Sequence, residues 1–170
     1  MMTFKLIKPQ RLRDDKMRLT LLNAVRKAAR DIQKDFEKTT ETWEHKPKFE
    51  SLVSLTGPGP VVLVGTDDKI YAYVDKGTRP HEIWAGAYTG KSDKTSLAFR
   101  TGHTPKTQPR VIGSGPGGTS GDLVYPIMVN HPGTEAREFD VTIAEEWDGA
   151  FKRRMEDAMV EAGKESGHAI

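Results

Sequence analysis

Phe49-Glu50-Ser51-Leu52-Val53-Ser54-Leu55-Thr56-Gly57-Pro58-Gly59-Pro60-Val61-Val62-Leu63-Val64-Gly65 is where the chain changes its hydrophobic period. Phe49, Ser51, Val53 and Leu55 alternate onto one face, as a half-buried strand requires. Gly57-Pro58-Gly59-Pro60 is a turn cluster. Val61–Gly65, rich in valine, reads as a second strand. Asp67-Asp68 makes a short turn. Residues 70–75 then read as a third strand with Tyr71 and Tyr73 on one face, completing a meander. Two more short strands are expected at about 96–100 and 123–129.

On either side of this region the period is helical. Met17, Leu21, Val25, Ala28, Ile32 and Phe36 recur at spacings of three and four, with Arg18, Arg26, Lys27, Arg30 and Lys34 between them. That is an amphipathic helix at about 13–43, with Asp14 and Asp15 suiting its positive end and Pro47 blocking its continuation. A second stripe of Ile143, Trp147, Phe151, Met155, Ala158 and Ala162 predicts a helix at about 141–163. Asp140 is its expected N-cap and Gly163 its expected stop. The predicted fold is α+β and a single domain over 1–170. Its N-terminal and C-terminal helices pack on one face of an antiparallel β-sheet, with strands in about 48–80 and 95–130, and it carries a long Gly/Pro-rich loop.

The 170 residues are 36% hydrophobic and 29% charged, with a formal net charge of +2, which sets the chain apart from disordered polyanions and strongly basic nucleic-acid binders. The longest aliphatic run, Val61-Val62-Leu63-Val64, is far short of the ~20 residues a bilayer span needs. The opening residues lack the long apolar stretch and small-residue cleavage site of a secretory leader, so none is expected. The absence of cysteine excludes disulfides, thiolate metal sites and cysteine nucleophiles. Residues 1–50 carry 13 Lys/Arg against 8 Asp/Glu, whereas residues 140–170 carry 4 against 8. Either these ends are solvated helix faces that pair with each other, which is the simpler reading, or copies in a ring set basic ends against acidic ones.

Residues 86–121 hold eight glycines, three prolines and ten serines or threonines. Between Asp93 and Asp122 there is no carboxylate, while Lys94, Arg100, Lys106 and Arg110 fall there with His103. Loops beyond ~12–15 residues are uncommon in compact domains and tend to be functional or disordered. The segment is therefore a solvated surface loop, or an arm that orders against a neighbouring subunit or a polyanion.

Catalytic signals are weak. Gly113-Ser114-Gly115-Pro116-Gly117-Gly118 matches G-x-G-x-x-G by letter, but no helix pattern follows and Pro116 removes a backbone donor. His81, His103 and His131 are conceivable metal ligands, yet no pair has a short ligand spacing, and turn hydrogen bonding is the simpler reading. A G-x-S-x-G nucleophile turn is missing. Glu145 and Glu146 point ~100° apart on a helix and read as solvated helix-start acids, and Asp67 and Asp68 as turn residues. No catalytic residue, metal or cofactor is expected.

Two segments stand out together: Tyr71-Ala72-Tyr73-Val74-Asp75-Lys76-Gly77-Thr78-Arg79-Pro80-His81, and Val129-Asn130-His131-Pro132-Gly133-Thr134-Glu135-Ala136-Arg137-Glu138-Phe139 running into the last helix. Leu97-Ala98-Phe99-Arg100 lies between them. This order resembles the tail-completion or neck (head–tail joining) proteins of long-tailed phages, the gene-product-ten-like family of tail components. Members carry a "Y-x-x-x-V-E-x-G-T-x-x-H" segment and an "H-P-G-T-x-A-R-P-F" turn before a C-terminal helix. The layout matches over about 13–163, and the specific motifs match only within the two quoted segments. Asp75-Lys76 departs from the family's Glu followed by an aromatic, Glu138 replaces its usual proline, and the 86–121 segment is longer and richer in glycine.

The resemblance implies a non-enzymatic structural protein of the virion neck, assembled in the host cytoplasm. It implies a homo-oligomeric ring, hexameric by analogy or dodecameric. Head-completion or connector proteins and a tail terminator would be its neighbours, DNA would pass transiently through the lumen, and no membrane is involved. The residues have physical readings of their own. Gly77 and Gly133 permit positive φ, Thr78 and Thr134 bond nearby backbone, and Pro80 and Pro132 stiffen turns. With His81, His131, Arg79 and Arg137 they either shape strand ends or form the edge that meets the next subunit, the two arginines anchoring that contact. The alternative function is a non-specific nucleic-acid-binding domain on the basic loop 94–110. There Arg100, Lys106 and Arg110 would meet DNA or a partner, with Tyr88 or Phe99 for stacking.

Overall fold

The computed structural model describes residues 13–55, 59–86 and 95–167. Their order is α1 (Asp14–Thr39), β1 (Glu50–Ser54), β2 (Val61–Gly65), α2 (Lys69–Lys76), β3 (His81–Trp84), β4 (Phe99–Thr104), β5 (Gly118–Val124), β6 (Met128–His131) and α3 (Phe139–Glu165). The class is α+β, with long helices toward both ends and small antiparallel sheets between. The single predicted sheet is instead three two-stranded ribbons, β1–β2, β3–β6 and β4–β5. By their contacts the described residues gather into two compact units. One draws its described residues from 13–32, 51–64 and 146–167, the other from 33–50 and 65–145.

The helical stripes are as read from the sequence. In the first unit Val25, Ala28 and Ala29 of α1 and Ala158 and Ala162 of α3 are buried. There α1 and α3 meet through polar side chains. Arg154 pairs with Asp31 at 2.9 Å and lays its guanidinium 5.0 Å from the Trp147 ring centre. Thr20 also donates to Glu165. The helix α1 stops at Thr39, short of the predicted 43, because Thr39 and Thr40 turn their hydroxyls onto the carbonyls of Phe36 and Glu37 at 2.6 and 3.1 Å. Lys46 Nζ caps the Thr40 carbonyl at 3.0 Å. At the other end α3 runs past Gly163, which is buried within the helix, and turns at Gly167 with φ 87°.

Residues 70–75 are corrected from strand to helix. Asp68, read as a turn residue, is the N-cap of α2 and accepts the Tyr71 N–H at 2.8 Å. That bond satisfies an orphan donor of the first helical turn. It also draws the Asp68 carboxyl below its ordinary range, with burial opposing and a His45 hydrogen bond assisting. A strand would place Tyr71 and Tyr73 on one face, but Tyr71 is 4% exposed and Tyr73 59%. The buried pair is Tyr71 and Asp75, four residues and one helical turn apart.

Tyr71 is the hub of the second unit. Its ring meets Phe49 edge-on at 5.0 Å, stacks on Phe139 at 5.7 Å and lies 6.2 Å from Trp43 and 6.5 Å from Phe36. Its hydroxyl hydrogen bonds with Thr39. Burial, assisted by the negative charges of Asp75 and Asp140 against the Thr39 bond, pushes the phenol well above its ordinary range and keeps it neutral.

The predicted 86–121 arm is corrected over its described part. Residues 87–94, including Tyr88, lie outside the described residues. Beyond them β4 and β5 pair antiparallel, Phe99 opposite Val124 and Thr104 opposite Gly118, with an irregularity between Arg100 and Gly102. The connecting loop is tied to its own chain. Thr42 N–H donates to Ser114 Oγ at 3.0 Å, Lys106 Nζ to the Thr42 carbonyl at 2.9 Å and Arg110 N–H to the Arg137 carbonyl at 2.8 Å. The letter match to a dinucleotide loop leads into β5 and not into a helix, as its sequence context predicts. No helix among the described residues is long and apolar enough to cross a membrane.

Phe139 is fully buried against the hub. Phe139→Ala is expected to lower unfolding free energy by about 3–5 kcal/mol, measured by urea denaturation.

Candidate functional site

The two motif segments, far apart in sequence, form one corner. Strand β3 pairs antiparallel with β6, His81 opposite His131 and Trp84 opposite Met128. One turn further back, Thr78 and Thr134 form an isolated antiparallel bridge. The Thr78 N–H donates to the Thr134 carbonyl at 2.9 Å. The Thr134 N–H reaches both the Thr78 carbonyl at 3.2 Å and the Thr78 hydroxyl at 2.9 Å.

Gly77 and Gly133 make that approach possible. Both have positive φ, 73° and 93°. A Cβ on Gly77 would lie 2.6 Å from the Thr134 carbonyl oxygen, and one on Gly133 would lie 2.3 Å from that of Thr78. The two turns interlock through the absence of side chains at these positions.

Asp75 joins the corner to α3. Its carboxylate is buried and accepts the Phe139 N–H at 2.7 Å and the Asp140 N–H at 3.3 Å. Its carbonyl accepts the N–H of Arg137 and that of Glu138, both at 3.0 Å. The first turn of α3 is thus capped from α2. Asp140, predicted as the cap, is the second residue of the helix, and its carboxylate pairs with Lys76. Lys76 also lies 3.2 Å from Asp75. The Asp140 bond, with Asp75 assisting, raises the Lys76 ammonium above its ordinary range. Burial pulls the Asp140 carboxyl upward, but Lys76 and the Val141 N–H outweigh it and hold the group low.

Glu138 has φ 53°. A proline ring locks φ at a negative value and leaves no N–H to give Asp75, so the backbone here excludes proline.

The remaining predicted residues divide by exposure. Arg79, Pro80, His81 and Pro132 are exposed at the corner. The His81 and His131 rings lie 5.1 Å apart. His81 Nδ1 hydrogen bonds with the Arg79 carbonyl at 2.8 Å, and His131 Nδ1 accepts the Gly133 N–H at 3.0 Å, so both serve their turns. His103 is on β4, and among the described residues no group of three or more metal-ligating side chains converges. Arg137 does not present an anchor to a neighbour. Its residue is 7% exposed, its Nε donates to the buried Thr107 hydroxyl at 3.3 Å and its guanidinium lies 3.5 Å from Glu135.

The three basic residues of the alternative reading each have an acceptor within the chain. Arg100 donates to the Gly121 carbonyl at 2.9 Å, Lys106 is held by Thr42, and Arg110 pairs with Glu145 at 3.0 Å and Glu138 at 3.7 Å. Phe99 is exposed on β4. Sequence reasoning missed Asp75 as the organiser of this corner. Its signal was its place four residues after Tyr71, visible only to a helical reading.

Asp75→Ala strands the buried Phe139 N–H and the half-buried Asp140 N–H and is expected to destabilise by about 1–3 kcal/mol. Glu138→Pro is expected to cost about 3 kcal/mol or more, whereas Glu138→Gly is tolerated. Both are read by urea unfolding. The Asp140 carboxyl is held low, so its contribution is present above the unfolded pKa of about 4 and is lost as pH falls through the folded value. The stability gap between wild type and Asp140→Asn is therefore expected to close on acidification, measured by thermal unfolding from pH 7 to pH 2. No family model matches this chain, and neither a curated protein nor a solved structure matches it.

Proposed function

We propose that this protein is a structural subunit of the head–tail junction of a long-tailed phage, a ring component that joins tail to head and lets DNA pass. The supporting observation is the uncovered apolar surface of its ribbons. On β1 and β2, Leu52 and Leu63 are 65% and 60% exposed, and beside β3 and β5, Trp84, Tyr125 and Ile127 are 50%, 62% and 66% exposed. Two-stranded ribbons are marginal alone, and large apolar groups held in water on regular elements mark protein contacts. The interlocked Gly77–His81 and His131–Thr134 turns support the same reading, because the segments that carry the resemblance make one feature.

In this reading the corner gives each subunit a rigid edge. Gly77, Thr78, Gly133 and Thr134 set its shape. Arg79, Pro80, His81 and Pro132 are the parts a neighbour touches. Six copies are proposed by analogy, flanked by connector and terminator proteins in the virion.

The test is electron microscopy of particles from phage carrying or lacking this gene. Filled heads and separate tails in its absence, with ring density at the neck in its presence, are the expected result. Intact particles in its absence overturn the proposal.

A further inference from the structure

The charge asymmetry of the chain ends resolves into two particular faces of the first unit. From Lys16 to Arg30 the helix α1 has five cations and no acid. At 100° per residue Lys16, Leu19, Asn23, Arg26, Lys27 and Arg30 fall within one third of its circumference. All six are exposed, and Leu19 is 57% exposed in the middle of the stripe. Among the described residues no carboxylate pairs with Lys16, Arg26, Lys27 or Arg30. On α3, Glu156, Asp157 and Glu161 are exposed and likewise without a cation among the described residues. They surround Val160, 41% exposed, with Met159 beside it at 44%. Arg153, one turn before Glu156 and Asp157, and Lys164, one turn after Val160 and Glu161, bound the patch at its two ends on the same helix face.

The simplest sequence reading, that the basic and acidic ends pair within one chain, describes only the margin. Asp31 with Arg154 and Thr20 with Glu165 close the α1–α3 contact. The outer faces are left with opposite charge and each with an exposed aliphatic group at its centre. An apolar centre with a charged rim is the anatomy of a protein interface.

We propose that the Lys16–Arg30 face of α1 docks on the Glu156–Glu161 face of α3 in a second copy of this chain. The proposal rests on the ring reading above and names its subunit contact. Because the two faces are different patches on one copy, each subunit gives one and receives one. Such a heterologous contact propagates and closes into a ring when its rotation permits. The aliphatic centres favour this occupant over a nucleic acid, whose phosphates would use the cations and leave Leu19 uncovered.

The experiment uses the full chain, with circular dichroism to confirm that each variant is folded. Arg26→Glu/Lys27→Glu/Arg30→Glu reverses one face, and Glu156→Lys/Glu161→Lys reverses the other. Mass photometry at low salt is expected to show assembly of wild type and roughly tenfold or greater weakening in either variant, with both effects shrinking at high salt. Mixing the two variants in equal amounts is expected to restore assembly as an alternating ring, since every contact is again opposite in charge. The variant carrying all five substitutions is expected to assemble by itself.

Wild type that assembles while the variants assemble equally well overturns this contact and leaves the ring reading standing. Weakening without rescue in the mixture also overturns it. Wild type that remains monomeric at all concentrations overturns both. Salt-dependent binding of a random DNA duplex that Arg26→Glu/Lys27→Glu/Arg30→Glu abolishes, with assembly unaffected, reassigns the basic face to nucleic acid.

Discussion

The buried carboxylate of Asp75 is the constraint on which the second unit depends. A helix start leaves four N–H groups without partners, and burying them unpaired is costly. The first turn of α3 begins at Phe139, which is fully buried, so water cannot serve its N–H. Asp75 takes two of them, and its own carbonyl takes two more from the approach to the helix. The end of α2 and the start of α3 are thereby held together. Lys76 balances the charge by pairing with Asp75 and Asp140 at once.

The corner follows from that junction. With α2 ending at Lys76 and α3 starting at Phe139, the segments leaving and entering them run side by side in opposite directions. They bridge at Thr78 and Thr134 and continue as β3 and β6. Gly77 and Gly133 let the backbones come that close. The positive φ of Glu138 completes the path into α3. The exposed part of the corner is small: Arg79 and His81 with the two prolines. Arg137, chemically suited to an interface, is spent inside, where its backbone and side chain brace the Thr107 loop.

What was legible in the sequence was whatever carried a long period. The stripes of α1 and α3 needed only spacings of three and four repeated over six positions, and the strands flanking the Gly57–Pro60 turn needed only alternation beside a strong breaker. Residues 69–76 failed because eight residues hold barely two helical turns, and Tyr71 with Tyr73 imitates a strand. The deciding signal was Asp68 three residues ahead of Tyr71. The 86–121 segment looked like an arm because its glycines and hydroxyl residues have no apolar period. The order of its described part, from 95 on, comes from a ribbon pairing and from hydrogen bonds to Thr42 and Arg137, partners far away in the chain.

The sequence alone determined the α+β class, the two amphipathic helices, the β1–β2 hairpin and the pair of Gly/Thr turns, because each is written in local spacing and local backbone freedom. Tertiary structure alone decided that those turns interlock, that Asp75 caps a helix far along the chain, that Arg137 is internal and that Arg100, Lys106 and Arg110 are already engaged. These are matters of which polar group meets which once the chain is folded. A buried donor or charge takes the acceptor that the fold brings within hydrogen-bond reach, and sequence distance does not encode that partner.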